Sequence, residues 1–117
     1  MRSYTDLEQS KKLAEILPPK SADAFYDMAE PDKRRVPIIG NPDEYYDMED
    51  WTIPCWSLAA LLEAIRAKAG CDLSIWDKGY NIDVYDLESG KAIAELYSNP
   101  VDAAVETIYK LRENNLL

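Results

Sequence analysis

The stretch that decides the fold is CDLSIWDKGYNIDVYDLESGKAIAELY, residues 71–97, in which three runs of alternating apolar and polar residues are separated by turn residues. Lys78-Gly79 is typical of a two-residue hairpin loop, and Glu88-Ser89-Gly90 of a three-residue loop with glycine in the left-handed conformation. The two loops together predict a three-stranded antiparallel meander whose apolar residues share one face. The predicted opposite pairs are Ile75 with Ile82, Leu73 with Val84, Val84 with Ala94, and Ile82 with Leu96.

Helices are predicted around this meander, over residues 5–16, 22–28, 57–69 and 99–114. The predicted N-cap residues are Thr5, Ser21, Ser57 and Asn99, and Gly70 is the predicted C-cap of the third helix. Glu8 would complete a capping box in the first helix, and Phe25 would anchor the short second one. Apolar residues recur at spacings of three and four in the last two helices.

The predicted fold class is α+β, with the element order α-α-loop-α-β-β-β-α in a single domain of residues 1–117. The last two helices are expected to cover the apolar face of the meander, which would give a two-layer sandwich. Residues 29–54 form the irregular, acidic and proline-rich connection, with a short extended piece from Val36 to Ile39. Such a long connection is uncommon in a compact domain, so we expect it to be functional or partly mobile.

Composition excludes several classes of protein. The net charge of −9 repels nucleic-acid phosphates and anionic membrane surfaces, and it favours a basic protein partner or simply solubility. The chain has no histidine, which excludes catalysis by a serine or cysteine that needs a histidine base, and zinc sites that use histidine. Because no apolar run could span a membrane and the first residues do not form a secretory signal, we expect a cytoplasmic protein.

The two cysteines, Cys55 and Cys71, flank the third predicted helix. At about 1.5 Å per residue the ends of that helix lie roughly 20 Å apart, which is too far for a disulfide. A thiol near a helix N-terminus can become acidic, so Cys55 is a candidate nucleophile. Since no histidine is present to assist it, we interpret Cys55 as a packed, reduced core cysteine.

The predicted register gives the meander a second, mixed face, on which Asp83 lies directly opposite Glu95. A carboxylate pair at this spacing occurs in retaining glycosidases, although a small three-stranded sheet leaves little room for a deep cleft. The alternatives are a solvated face whose acids oppose aggregation, a partner surface, or a face covered by the N-terminal segment. The candidate residues of this second surface are Trp76, Asp83, Tyr85, Glu95 and Tyr97.

An acidic-aromatic segment, residues 43–51, lies within the irregular connection. Aromatic rings bury area at protein interfaces and carboxylates steer basic partners, so this segment is a candidate partner surface. Its candidate residues are Asp43, Glu44, Tyr45, Tyr46, Asp47 and Trp51. The alternative is a solvated loop with Trp51 in the core. The basic cluster Lys33-Arg34-Arg35 is interpreted as paired with nearby acids rather than as a contact with nucleic acid.

Several segments carry a resemblance to a known family: YTDLEQSKKLAEIL from Tyr4, SADAFYDM from Ser21, IPCWSLAALLEAI from Ile53 and PVDAAVETIYKL from Pro100. In these segments the chain resembles a family of small acidic hypothetical proteins found in bacterial prophages and other mobile elements of gut anaerobes. The resemblance covers nearly the whole chain, and Pro54, Cys55, Trp56 and Ser57 are its most specific part. It implies a cytosolic accessory protein and supplies no catalytic residues.

The residues and the resemblance together favour a non-catalytic accessory or protein-binding module that uses no cofactor or metal. This hypothesis expects another protein as partner, with no direct contact with nucleic acid or membrane. One alternative is an acidic mimic of DNA that inhibits a nucleic-acid-binding enzyme, in keeping with the net charge of −9. Another alternative is a small enzyme that uses Asp83 and Glu95.

Overall fold

A computed structural model describes residues 3–28, 37–40, 52–68, 70–76, 79–85, 92–97 and 99–113. The chain divides into two compact units: Ser3–Ala60, which we call the N-terminal unit, and the C-terminal unit, which begins at Leu61. Both units contain helix and antiparallel strand, so the fold class is α+β as predicted. The expectation of a single domain stays a prediction.

The N-terminal unit contains helix α1 (Leu7–Leu13), a 3-10 turn (Pro19–Ser21) and a sheet of three short strands. The strands are β1 (Ala24–Asp27), β2 (Ile38–Ile39) and β3 (Thr52–Cys55), in the spatial order β2-β1-β3. β1 therefore lies in the middle and runs antiparallel to both neighbours. β2 agrees with the predicted extended piece, whereas most of β3 falls in the part predicted to be irregular.

The second predicted helix, residues 22–28, is wrong, because β1 occupies most of that segment. Ala24, Phe25 and Tyr26 are consecutive and all buried, which means that the segment is buried on both faces. A central strand has this pattern, and aromatic residues fit such a position well. Pairing with β2 and β3 therefore overrides the local helical pattern, although Phe25 is a buried anchor as predicted.

Helix α1 begins with a different cap from the predicted one. Asp6 is the N-cap: its carboxylate accepts from the Gln9 N–H at 2.8 Å, and the Gln9 side-chain oxygen accepts from the Asp6 N–H at 3.0 Å. The capping box is thus shifted by one residue, with Gln9 in the role predicted for Glu8. Thr5 lies outside the helix and forms other bonds.

Pro54 lies in β3 at a position where its missing N–H costs no bond to β1. The Gly40 N–H donates to the Asp23 carbonyl at 2.9 Å, and this pattern turns the backbone groups of Ala24 toward β3. Backbone groups alternate along a strand, so those of Phe25 turn toward β2. Pro54 is the residue opposite Phe25, and its nitrogen therefore points away from β1. Proline is tolerated at such positions of an edge strand.

The C-terminal unit contains the predicted meander and a helix that packs on it. The strands β4 (Gly70–Trp76), β5 (Gly79–Tyr85) and β6 (Ala92–Tyr97) are antiparallel and neighbour one another in chain order. Helix α2 (Leu58–Arg66) precedes them, and helix α3 (Pro100–Glu113) follows and packs against β5 and β6. Ile82 and Val84 of β5 are buried.

The first hairpin of the meander is shifted by two residues from the prediction. Leu73 lies opposite Ile82, two residues from its predicted partner. The shift arises because Trp76 pairs with Gly79, so Gly79 is a strand residue rather than the loop residue that the prediction made it. A shift of two keeps the residues on their predicted faces, because side chains alternate with period two. Gly70, the predicted helix C-cap, instead begins β4.

The second hairpin is shifted by one residue. Ala94 lies opposite Asp83 rather than Val84, and Leu96 is displaced in the same way. The predicted three-residue loop, Glu88-Ser89-Gly90, lies outside the described residues. A slip of one residue moves a strand to the opposite pattern of faces. The predicted pairs of Val84 with Ala94 and of Ile82 with Leu96 are therefore wrong.

Helix α3 is capped and buried as predicted. The Asn99 side-chain oxygen accepts from the Val101 N–H at 2.8 Å, and Pro100 takes the first helical position. The buried members of the predicted stripe are Val101, Ala104, Val105, Ile108 and Leu111. Ala103 and Thr107 are buried too, and the Thr107 hydroxyl donates to the Ala103 carbonyl at 2.7 Å. Burial of α3 thus extends beyond the one stripe.

Candidate functional site

The first predicted partner surface, Asp43–Asp47 with Trp51, lies outside the residues that the structure describes. The basic cluster at residues 33–35 lies outside them as well. The roles given to these residues stay predictions.

The second predicted surface changes with the register of the meander. Asp83 lies opposite Asp72 in β4 and Ala94 in β6, while Glu95 lies opposite Ile82. The predicted cross-strand pair of Asp83 with Glu95 is therefore wrong, because it depended on the incorrect second hairpin. Asp83 is exposed and accepts a hydrogen bond from the Asn81 side-chain amide at 2.8 Å. The side chains of Trp76, Tyr85, Glu95 and Tyr97 lie outside the described part of the structure.

Thr5 joins the N-terminal segment to the residues that follow β3. It is fully buried, its N–H donates to the Trp56 carbonyl at 2.9 Å, and its hydroxyl oxygen accepts from the Trp56 N–H at 3.1 Å. The Tyr26 hydroxyl donates to the Thr5 carbonyl at 2.7 Å, and the Thr5 and Ser10 hydroxyls share a hydrogen bond of 2.7 Å. Every polar group of Thr5 thus has a protein partner, which is what a buried polar residue requires.

Asp23 and Ser57 form a second polar contact at the start of α2. The Asp23 carboxylate accepts from the Ser57 N–H at 2.9 Å and also from the Ser57 hydroxyl. The Ser57 hydroxyl oxygen accepts from the Ala60 N–H at 3.2 Å, as predicted for an N-cap. The Trp56 indole N–H donates to the Ser21 hydroxyl at 2.9 Å. We interpret the contact between Asp23 and Ser57 as structural, because it fixes the residue at which α2 begins.

Cys55 is fully buried in a cluster with Ala24 and Tyr26. Burial and, to a smaller extent, the negative charge of Asp23 raise the pKa of the Cys55 thiol to about 12. The thiol is therefore protonated at neutral pH, whereas nucleophilic attack needs the thiolate. Neither Cys55 nor Cys71 forms a disulfide, in agreement with the prediction.

The outer edge of β2 presents unbonded backbone groups beside an apolar side chain. The bond from the Gly40 N–H to Asp23 means that Gly40 and Ile38 turn their backbone groups toward β1. Ile39, between them, turns its N–H and C=O away from β1. Within the described residues neither group has a hydrogen-bond partner. Ile39 is 74% exposed, and no other large hydrophobic residue among those that the structure describes has so large an exposed fraction.

Sequence reasoning placed Ile39 in a short extended piece but did not identify it as a candidate site. The available signal is the pattern Pro37-Ile38-Ile39-Gly40, in which two β-branched residues are bounded by proline and glycine. Such a pattern is typical of a short strand at a sheet edge, where proline is allowed. The buried role of Thr5 carries no comparable signal, because it depends on Trp56, which is far away in the sequence.

Comparison of the chain with protein-family models, with curated proteins and with solved structures gives no match. The resemblance to small acidic prophage proteins therefore stays an expectation. Among the described residues, no three or more cysteine, aspartate or glutamate side chains lie together in a group that could hold a metal ion. No described helix combines the length and the apolar character needed to cross a membrane.

Proposed function

We propose that this protein is a non-catalytic accessory protein that binds another protein at the outer edge of β2. The proposal rests on Ile39, whose side chain is 74% exposed and whose backbone N–H and C=O point away from the sheet. An edge of this kind is a ready template for another chain, and proteins ordinarily block or cover it. Binding of a partner gives both the apolar side chain and the backbone groups a role.

The chemistry of the polar groups in the N-terminal unit supports a non-catalytic role. The hydroxyls of Thr5 and Ser57 are engaged in bonds that hold the chain together. The pKa of the Cys55 thiol is raised to about 12, so that this thiol is a poor nucleophile at neutral pH. The chain has no histidine that could serve as a general base.

The charge of the chain supports a basic protein as partner, and we propose that the two meet in the cytoplasm. A net charge of −9 attracts a basic protein and accelerates the encounter at low ionic strength. The acidic-aromatic segment, residues 43–51, follows Gly40 closely in the sequence, so we include Tyr45, Tyr46 and Asp47 in the proposed partner surface. Ile39 would then supply the apolar contact and this segment the charge.

For the C-terminal unit we propose a two-layer arrangement, with the meander as one layer and helices as the other. Packing of α3 against β5 and β6 supports it. In this proposal the unit is a scaffold, and the binding surface lies in the N-terminal unit.

The net charge of −9 also supports a second candidate, an acidic mimic of DNA that blocks a nucleic-acid-binding enzyme. Inhibition by a mimic depends on many carboxylates and weakens steeply with salt. It would be indifferent to the loss of one apolar side chain at position 39. The two candidates are therefore separated by the salt dependence of binding and by a substitution of Ile39.

Affinity capture with matched variants of Ile39 tests the proposal. Ile39→Thr keeps a β-branched side chain but makes it polar, whereas Ile39→Val keeps it apolar. A partner captured in stoichiometric amount by the wild-type protein and by Ile39→Val, but not by Ile39→Thr, would support the proposal. A second variant with alanine at Tyr45, Tyr46 and Asp47 reports on the acidic-aromatic segment. Equal capture by all variants would contradict the proposed surface.

A further inference from the structure

We infer that the partner binds as an extended segment that adds a strand to the N-terminal sheet beside β2. This inference rests on the proposed function and specifies the partner's conformation and chemistry. The segment would place an apolar residue against the Ile39 side chain and carry basic residues on either side of it. Addition of a strand to an open sheet edge is an established mode of peptide recognition, in which backbone bonds give affinity and side chains give specificity.

The backbone of residues 37–40 fits the addition of one strand with Ile39 as its only donor. Pro37 has no N–H, and the Gly40 N–H already donates to Asp23 at 2.9 Å. Ile38 turns its groups toward β1. Ile39 therefore offers the N–H and the C=O of one residue, the two groups that a directly opposite residue of an antiparallel strand bonds.

At the other edge of the same sheet, the residues that follow β3 already pair with another segment of the chain. Directly after β3, the Thr5 N–H donates to the Trp56 carbonyl at 2.9 Å, and Tyr4 forms an antiparallel bridge with Ser57. The N-terminal segment thus already takes the bonding groups of the chain that leaves β3. The position next to Ile39 has no such neighbour among the described residues.

Charge decides which occupant fits this edge. Two copies of the chain, each with a net charge of −9, would repel one another on pairing at β2. A segment with lysine or arginine around an apolar residue would instead be attracted to this acidic chain. The occupant that fits is therefore a basic, extended segment of a different protein rather than a second copy.

Random peptides displayed on phage are a suitable probe, because they require no knowledge of the natural partner. The wild-type protein would be used for selection, and enriched peptides would be synthesised and titrated by fluorescence polarisation against wild-type protein, Ile39→Val, Ile39→Thr and Ile39→Pro. Ile39→Pro removes an N–H that points away from β1 and replaces the isoleucine side chain with the smaller proline ring, at a type of edge position that tolerates proline. Circular dichroism checks that each variant is folded.

Strand addition predicts enriched peptides with an apolar residue flanked by lysine or arginine. It predicts that Ile39→Val, which loses one methylene, binds them within about fourfold of the wild type. Ile39→Thr should bind about tenfold more weakly than the wild type, and Ile39→Pro at least tenfold more weakly, because it loses the backbone bond and part of the apolar contact. It also predicts slower amide hydrogen exchange at Ile39 of the wild-type protein when peptide is bound. This last readout needs no variant, so it decides the matter even if Ile39→Pro does not fold.

Binding to Ile39→Pro as strong as to Ile39→Val, or unchanged exchange at the Ile39 amide, would overturn strand addition. If Ile39→Thr still lost affinity in that case, the proposed function would stand without it. Absence of any enriched peptide would also overturn the inference. So would a concentration-dependent dimer of the protein alone that Ile39→Pro abolishes in sedimentation experiments, because the occupant would then be a second copy.

Discussion

Replacing Thr5 with valine tests the polar contact that holds the N-terminal unit together. Valine keeps the branched shape and removes the hydroxyl, which lies in a fully buried position. The Trp56 N–H, which donates to that hydroxyl at 3.1 Å, would lose its partner. A buried polar group without a partner costs about 1–3 kcal/mol. We expect the free energy of unfolding to fall by this amount, since the Ser10 hydroxyl can turn to a carbonyl of its own helix.

Urea denaturation and amide hydrogen exchange would measure this effect, with Thr5→Ser as the matched control. Serine keeps the hydroxyl and loses one methyl group, which costs about 0.8 kcal/mol. The Trp56 amide should exchange faster in Thr5→Val than in Thr5→Ser, because only valine removes its acceptor. Equal unfolding free energies for Thr5→Val and the wild type, with an unchanged Trp56 amide, would refute the role given to Thr5.

Further predictions concern the Cys55 thiol, the cap of α3 and the Asp23 contact. The pKa of Cys55 is about 12 in the folded protein and 9.0 in the unfolded chain, so the unfolded chain releases its proton first and stability falls with rising pH between these values. Cys55→Ala should remove up to about 1.4 kcal/mol per pH unit from that slope in urea titrations; an unchanged slope would contradict the raised pKa. Asn99→Ala should destabilise by about 1 kcal/mol in thermal denaturation and Asn99→Asp should not, whereas equal losses would argue against the cap. Asp23→Ala should destabilise by about 1–3 kcal/mol in urea, because the N–H and hydroxyl of the half-buried Ser57 lose their acceptor; no change would mean that water replaces the carboxylate.

The parts of the fold that short-range rules determine were predictable from the sequence. Asn99-Pro100 specifies the start of α3, and the spacing of apolar residues specifies which side of that helix is buried. Ser57 caps α2 as its position before an apolar helix predicts. The meander itself follows from three alternating runs separated by turn residues.

The parts that depend on distant partners were not predictable by the same rules. Residues 22–28 carry a helical pattern, but β1 forms because it pairs with β2 and β3, which come later in the chain. The second hairpin differs by one residue from the prediction: Asp83, rather than Val84, lies opposite Ala94, so the glycine at position 90 does not specify the register. Because of this difference in register, Asp83 does not lie opposite Glu95, so the predicted carboxylate pair is wrong as well.

The candidate site at Ile39 was not predictable either, because it also depends on partners that are distant in the sequence. Exposure of Ile39 and the outward direction of its N–H follow from the bond between Gly40 and Asp23 and from the position of β2 at the sheet edge. A sequence pattern can suggest a short strand, but it does not specify which neighbour the strand pairs with. The binding role proposed for Ile39 therefore depends on the pairing of β2 with β1, which the local sequence does not specify.

The most direct test of the central claim is the dissociation constant of the captured partner for Ile39→Thr compared with Ile39→Val, at equal salt and with both variants folded. The Ile39 side chain is 74% exposed, and burial of an isoleucine side chain contributes about 1.5–3 kcal/mol. We predict that Ile39→Thr binds about tenfold more weakly than Ile39→Val, which loses one methylene and should lie within about fourfold of the wild type. Equal dissociation constants for the two variants would contradict binding at the edge of β2.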